Sequence, residues 1–198
     1  VELRAALGML HESGVAIAYG DPGQSIFADS KGVSEGSLPH FWTMSERQSK
    51  MSKGYRVGDP VATVASRVLS SYYDRPASSF KAPHTTEFLV WDGTSRPTRG
   101  LCLGYSRYSV GKFFRHWGLR QTGVVPNIGN ADRQVVLSTG HAAKGAEADD
   151  VFLLPWSRKA LKRLEARDPA TLRLLYVMLT RARRRVFLPR ATRARLPL

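Results

Sequence analysis

Gln134-Val135-Val136-Leu137-Ser138-Thr139-Gly140-His141-Ala142-Ala143-Lys144-Gly145-Ala146-Glu147 decides the fold of this chain. Its first five residues are an unbroken, mostly apolar run, which reads as a strand buried on both faces. A hydroxyl, an imidazole, two glycines, a lysine and a glutamate follow on one short turn. The pattern has a precedent upstream, where Val15-Ala16-Ile17-Ala18-Tyr19 leads into Gly20-Asp21-Pro22-Gly23-Gln24-Ser25-Ile26. Polar groups just past strand ends are where open α/β sheets bind ligands.

Working outward, further strands are expected at 86–91, 100–105, 124–125, 151–154 and 186–188. Helices are expected at 2–12, 61–73, 110–117 and about 157–167, with a helix or strand-proximal segment over 170–180. Pro60 suits the start of the 61–73 helix, and Gly118 the end of the 110–117 helix. Asp92-Gly93 is a turn signal. Residues 74–86 read as a linker or surface loop, and the tail from Pro189 as mobile. Strands alternating with helices imply a mostly parallel α/β sheet.

The 198 residues are 42% hydrophobic, enough for one packed core or a domain with a piece of another. No apolar run approaches the ~20 residues of a membrane helix, so no membrane partner is expected. The chain opens at Val1 with no charged-then-apolar leader, as expected of an excerpt or a processed product. A single cysteine, Cys102, excludes an internal disulfide and a cysteine-based zinc site, and no metal ligands are expected. Formal net charge is +14, and residues 158–198 carry thirteen Lys/Arg against Glu165 and Asp168. Clustered positive charge attracts a phosphate backbone through counterion release. A solubilising tail or a basic protein interface would use the same composition.

Four segments carry chemistry. In Gly20-Asp21-Pro22-Gly23-Gln24, a tight bend holds Asp21 and Gln24 at the sheet crest. A glutamine there can bond a phosphate or orient a water without adding charge. In Tyr55-Arg56, and less favourably at Arg47, a planar guanidinium suits charge that builds on phosphate oxygens. In 139–147, Thr139 and His141 could bind sugar or phosphate. Gly140 and Gly145 have phosphate-loop spacing, but Ala146 stands where a Walker A lysine is required. In Tyr176-Val177-Met178-Leu179-Thr180-Arg181-Ala182-Arg183, Thr-Arg after an apolar stretch puts a guanidinium at a domain edge, where it can complete a phosphate site built by a neighbouring domain. Arg183 to Arg185 read as a basic helix end complementing the helix dipole. No Ser/His/Asp, Cys/His or paired-carboxylate constellation is present, and His11, His40, His84 and His116 read as isolated structural or exposed residues.

Taken together, Gly-Asp-Pro-Gly-Gln-Ser-Ile, Tyr55-Arg56 with the helix after it, Thr-x-His-x-x-Lys-Gly-x-Glu and Tyr-Val-x-Leu-Thr-Arg-Ala resemble the later motifs of a superfamily 1 helicase of the UvrD/Rep type. The resemblance spans roughly residues 2–188. It implies an ATP-driven motor whose second RecA-like domain occupies 36–198, preceded at 1–35 by the end of the first, ATP-binding one. Catalytic roles fall by resemblance on Gln24, Arg56 and Arg181 at the γ-phosphate. ATP contacts fall on Asp21, Gln24, Arg56, Glu147 and Arg181, with Glu147 near the sugar. Strand contacts fall on Phe27, Lys31, Thr139, His141, Lys144 and Tyr176, with Lys144-Gly145 coupling the two sites. Lys31 stands in for the basic residue of a Trp-Arg-Gly that the family carries and this chain does not. No Gly-x-x-x-x-Gly-Lys-Ser/Thr occurs in the 198 residues, so the lysine that cradles phosphate and the carboxylates that hold Mg²⁺ are expected in an upstream ATP-binding domain. The resemblance further implies a single-stranded or tailed nucleic acid as partner, DNA before RNA, and an intracellular setting in cytoplasm or nucleoid. The alternative is a RecA-like module that binds nucleic acid or a protein without turnover.

Overall fold

The structure is a computed structural model that describes residues 56–70, 84–119 and 128–196. The helix expected at 2–12, the strands at 15–19 and 124–125, Arg47, and Asp21, Gln24, Phe27 and Lys31 lie outside the described residues, as does the domain boundary at 35.

Six strands form one sheet: β1 (Asp59–Pro60), β2 (Thr85–Trp91), β3 (Gly100–Gly104), β4 (Val135–Thr139), β5 (Ala148–Leu153) and β6 (Ala182–Pro189). Their spatial order is β1-β2-β6-β5-β3-β4, and every neighbouring pair is parallel. The mostly parallel α/β expectation holds. Among the described residues, five α-helices accompany the sheet: α1 (Val61–Ser70), α2 (Arg107–His116), α3 (Arg158–Glu165), α4 (Pro169–Leu179) and α5 (Arg190–Arg193).

Two apolar layers result, one on each face. On the first face, Leu101, Leu103, Val136, Val151, Leu153, Val186 and Leu188 pack with α1, α3 and α4. On the second, Cys102, Leu137, Phe152 and Trp91 pack with Val110 and Phe113 of α2 and with Trp117. Alternation along each strand sorts the residues between these layers. α4 is sealed more completely than an amphipathic helix would be: Thr171 through Leu179 are all buried.

Several boundaries move for local reasons. α2 begins at Arg107, three residues early, because Ser106 and Ser109 form a reciprocal capping box. α4 is a helix throughout, capped by the Asp168 carboxylate and opened by Pro169 at its first turn. Asp92 accepts from the Thr94 and Ser95 backbone N–H groups, so the Asp-Gly signal is an Asx-type turn between parallel strands and not a hairpin. β6 starts at Ala182, so Arg183 to Arg185 lie on a strand and the helix-end reading of them is wrong. The segment after Pro189 begins with α5.

Candidate functional site

In a parallel sheet the strand ends define two edges. Thr139 is the last residue of β4, on the carboxyl edge, whereas Ala148 opens β5 on the amino edge. The eight residues between them therefore cross the first face of the sheet. They do so tightly under α4: a side chain on Gly140 would meet Leu174 Cδ1 and Met178 Cγ, both at 2.7 Å. The start of the crossing is fixed by Gly140 N–H donating to the Gly104 carbonyl at 3.0 Å and Ala142 N–H donating to Thr139 Oγ1 at 3.1 Å.

At the carboxyl edge, the Thr139 and His141 side chains are partly exposed and Lys144 is exposed. Burial pushes the His141 imidazole below its ordinary pKa, so it is neutral at pH 7. Tyr105, at the end of the neighbouring β3, accepts a hydrogen bond from Arg163 of α3 at 3.4 Å and packs edge-on against Trp156 at 5.0 Å. The basic helix α3 is thereby tied to the same edge as Thr139. Tyr176 is not there. Its side chain is only 6% exposed and belongs to the core cluster, so a strand could not reach it without opening that core.

At the amino edge, Arg56 Nε donates to Glu147 Oε2 at 2.7 Å. Arg183 reaches the same carboxylate, donating from its NH1 nitrogen to Glu147 Oε1 at 3.2 Å and from Nε to Asp149 Oδ1 at 2.9 Å; its NH2 nitrogen pairs with Asp132. These partners hold the Glu147 carboxyl below its usual range, the Arg56 bond first among the causes, and raise the Arg183 guanidinium. Arg56 is held from behind as well. His84 Nε2 lies 3.1 Å from the Arg56 carbonyl oxygen, and Thr86 Oγ1 accepts from Gly58 N–H at 2.7 Å while donating to the Arg183 carbonyl at 3.0 Å.

Arg181 follows α4 and precedes β6, which puts it on the amino edge as well. Its side chain is fully buried. Nε donates to the Val177 carbonyl at 2.9 Å, NH1 to the Ala146 carbonyl at 3.3 Å, and NH2 to Thr180 Oγ1 at 3.1 Å. Arg181 thus touches the residue next to Glu147. Of the residues singled out in the sequence, Arg56 and Glu147 pair at the amino edge with Arg181 buried beneath them, bonded to Ala146, while Thr139, His141 and Lys144 lie in the earlier part of the same crossing.

His84, Thr86 and Arg183 were not legible as parts of this rim. For Arg183 the available signal was strand periodicity after Ala182. The amino-edge residues offer cations suited to phosphate oxygens. No group of three or more His, Cys, Asp or Glu arranged for a metal occurs among the described residues.

The stretch that builds both ends of the crossing, α4 and β6 has known counterparts. Residues 134–188 match the family model of the UvrD-like helicase C-terminal domain. The match begins one residue before β4 and runs to the end of the β6 core, so it covers both the Thr139–Glu147 crossing and Thr180-Arg181. Among solved structures, the PRRSV helicase is similar at 18% identity over 74% of this chain and 24% of that one, with a TM-score of 0.43. Arterivirus nonstructural protein 10 (helicase) in complex with DNA is similar at 15% identity over 71% of this chain and 26% of that one, with a TM-score of 0.41. The chain thus spans about a quarter of the length of either structure. No curated protein matches it. The described residues form a parallel α/β sheet with helices on both faces, and the stretch 134–188 within it is similar to a helicase C-terminal domain.

Proposed function

We propose that the chain supplies the second RecA-like domain of an ATP-dependent, UvrD/Rep-type helicase or translocase. Arg56, Arg181 and Gln24 face the γ-phosphate, Asp21 lies beside them, and Glu147 stands near the nucleotide sugar. Thr139, His141 and Lys144 hold the strand backbone, with Phe27 and Lys31 contributing upstream. The nucleic acid is a single strand or tailed duplex, DNA in preference to RNA, and the setting is intracellular. Mg²⁺ comes with ATP and is held by carboxylates of an upstream ATP-binding domain. That domain is the required partner for turnover.

The observation that carries this reading is that one eight-residue crossing joins the two groups. Its first end carries Thr139 and His141, and its last end carries Glu147, bonded to Arg56 and adjacent to the carbonyl held by Arg181. A phosphate arriving at the amino edge would compete with Glu147 for Arg56, and would reach the buried Arg181 only by drawing its guanidinium away from the Ala146 carbonyl. Charge-assisted bonds to phosphate are roughly twice as strong as neutral ones, so the carbonyl and hydroxyl bonds of Arg181 are the weaker side of the exchange. Any shift of Glu147 is passed along the crossing toward Thr139, and two-state motion of such an element links hydrolysis to strand grip.

Arg181→Lys in the intact parent protein keeps the charge but loses the fork. We expect its strand-stimulated ATPase to fall by about 10³-fold or more, with oligonucleotide affinity within a few-fold of wild type. Arg181→Ala should do the same. Normal turnover in either variant would reject the assignment. Strand displacement on tailed DNA and RNA duplexes settles the choice of nucleic acid.

A further inference from the structure

The connection from β2 to β3, like that from β4 to β5, is short for a crossover between parallel strands. Crossovers between parallel strands need a dozen or more residues and usually contain a helix. Here residues 92–99, eight in number, pass from the carboxyl end of β2 to the amino end of β3 over β6 and β5, with no helix. They form an extended strap. Its near end is held by Trp117 Nε1 donating to the Thr94 carbonyl at 2.7 Å. Its far end is held by Gly100 N–H donating to the Ala131 carbonyl at 2.8 Å. Gly100, which opens β3, has φ +123°, and a side chain there would strike the Phe152 ring of β5 at 2.7 Å.

Because a strap covers less than a helix, the second face stays open beside it. The result is a cavity of about 550 Å³ lined by Trp91, Phe152, Phe187, the Asp150–Arg185 pair and strap residues 95–99. Phe152 and Phe187 stack at 4.1 Å, Trp91 meets Phe152 edge-on at 5.5 Å, and the Arg185 guanidinium lies 5.7 Å from the Phe187 ring centre. Both Asp150 oxygens are taken by Arg185, at 2.6 Å each, so the floor is electrically neutral. The rim is not. Arg96 and Arg99 are exposed and neither makes an ion pair among the described residues.

We propose that this cavity binds a nucleotide unit, its base over the Arg185 guanidinium that lies on Phe187 and its phosphate on Arg96 and Arg99. The volume falls within the ~300–1,000 Å³ of small-molecule sites. Aromatic groups under a basic rim are the combination that holds unpaired bases. The site lies on the sheet face, apart from the Thr139 crossing and from Arg181, and stands independently of the motor reading. Its ligand is either a free nucleotide or a base of a bound strand.

The test uses the 198-residue chain, thymidine monophosphate, and a ten-nucleotide oligothymidylate carrying 5-iodouracil. We expect photocrosslinks to the peptides that hold Trp91 or Phe187, with the yield falling about tenfold or more in R96A/R99A. Crosslinks near Thr139 should be unaltered and the melting temperature unchanged, since both arginines are exposed. Saturation transfer from the protein to the monophosphate, without oligonucleotide crosslinks, would assign the cavity to a free nucleotide and support the proposal. No crosslink at Trp91 or Phe187 and no R96A/R99A effect on either probe would overturn it. So would self-association in sedimentation that R96A/R99A abolishes without any nucleotide signal, which would assign the trough to a second copy. Loss of Arg181-dependent ATPase bears on the motor reading alone.

Discussion

Glu147 shows what the rim does at neutral pH. Its carboxylate is shared by Arg56 and Arg183 and is 40% exposed, so the pairs are screened and together contribute at most about 1 kcal/mol. Its folded pKa is depressed, so that contribution is present above the unfolded value of 4.5 and is lost as pH falls through the folded one. Glu147→Gln should therefore be slightly less stable than wild type at pH 7 and equal to it once the pH is below the folded value, in urea titrations at each pH. A deficit that persists in acid would mean that the residue acts by packing instead. His141 acts in the same direction, in a higher pH window. Its folded pKa lies below 6.5, so the unfolded chain takes up the proton first, and stability falls as pH drops from about 6.5 toward the folded value. His141→Gln should remove that slope, and an unchanged stability–pH profile would count against the buried imidazole. Both residues were legible because they belong to a short local string. Arg183 was not: its carboxylates at 132, 147 and 149 are 34 to 51 positions away, and no local pattern announces them.

At the level of elements, the crossing between β4 and β5 is the part most exposed to a small change. Gly140 passes beneath Leu174 and Met178, where even a methyl group has no room. Gly140→Ala must push the crossing off α4 or displace two fully enclosed side chains. Overpacking of this kind costs about 1–3 kcal/mol. We expect that loss in a denaturant melt, with strand binding weakened because Thr139 moves with the crossing. A fully stable Gly140→Ala would show that α4 yields there, and would remove the rigid link between the two edges. The apolar runs and caps made most strands and helices legible. The edge on which each motif lands was not, because that depends on whether a motif closes a strand or a helix. Thr139 closes β4, whereas Thr180-Arg181 closes α4, which returns along the sheet, and the two motifs consequently sit at opposite edges. The strap at 92–99 was hidden for a related reason. Asp92-Gly93 announces a turn, but only the order of strands reveals that the chain must then cross two neighbours.

Across the molecule, charge is less concentrated than its order along the chain suggests. Of the thirteen basic residues after 157, Arg173 and Arg181 are buried, and Arg183, Arg185 and Arg195 are bonded to acids. The eight that remain include Arg158, Lys159, Lys162 and Arg163 of α3, all exposed, and α3 is tied to the Thr139 edge through Tyr105. If that edge carries the strand, its affinity should depend on salt through α3. Each phosphate contact removed lowers the slope of log K against log salt by about one. Lys159→Glu with Lys162→Glu should therefore flatten the slope by about two and weaken binding at low salt far more than at high salt. Arg133→Glu with Arg184→Glu, both exposed near the amino ends of β4 and β6, should alter the slope much less, because they lie at the opposite, amino edge. Equal effects from both pairs would mean that the nucleic acid responds to net charge alone, and the two-edge arrangement would lose its bearing on strand binding.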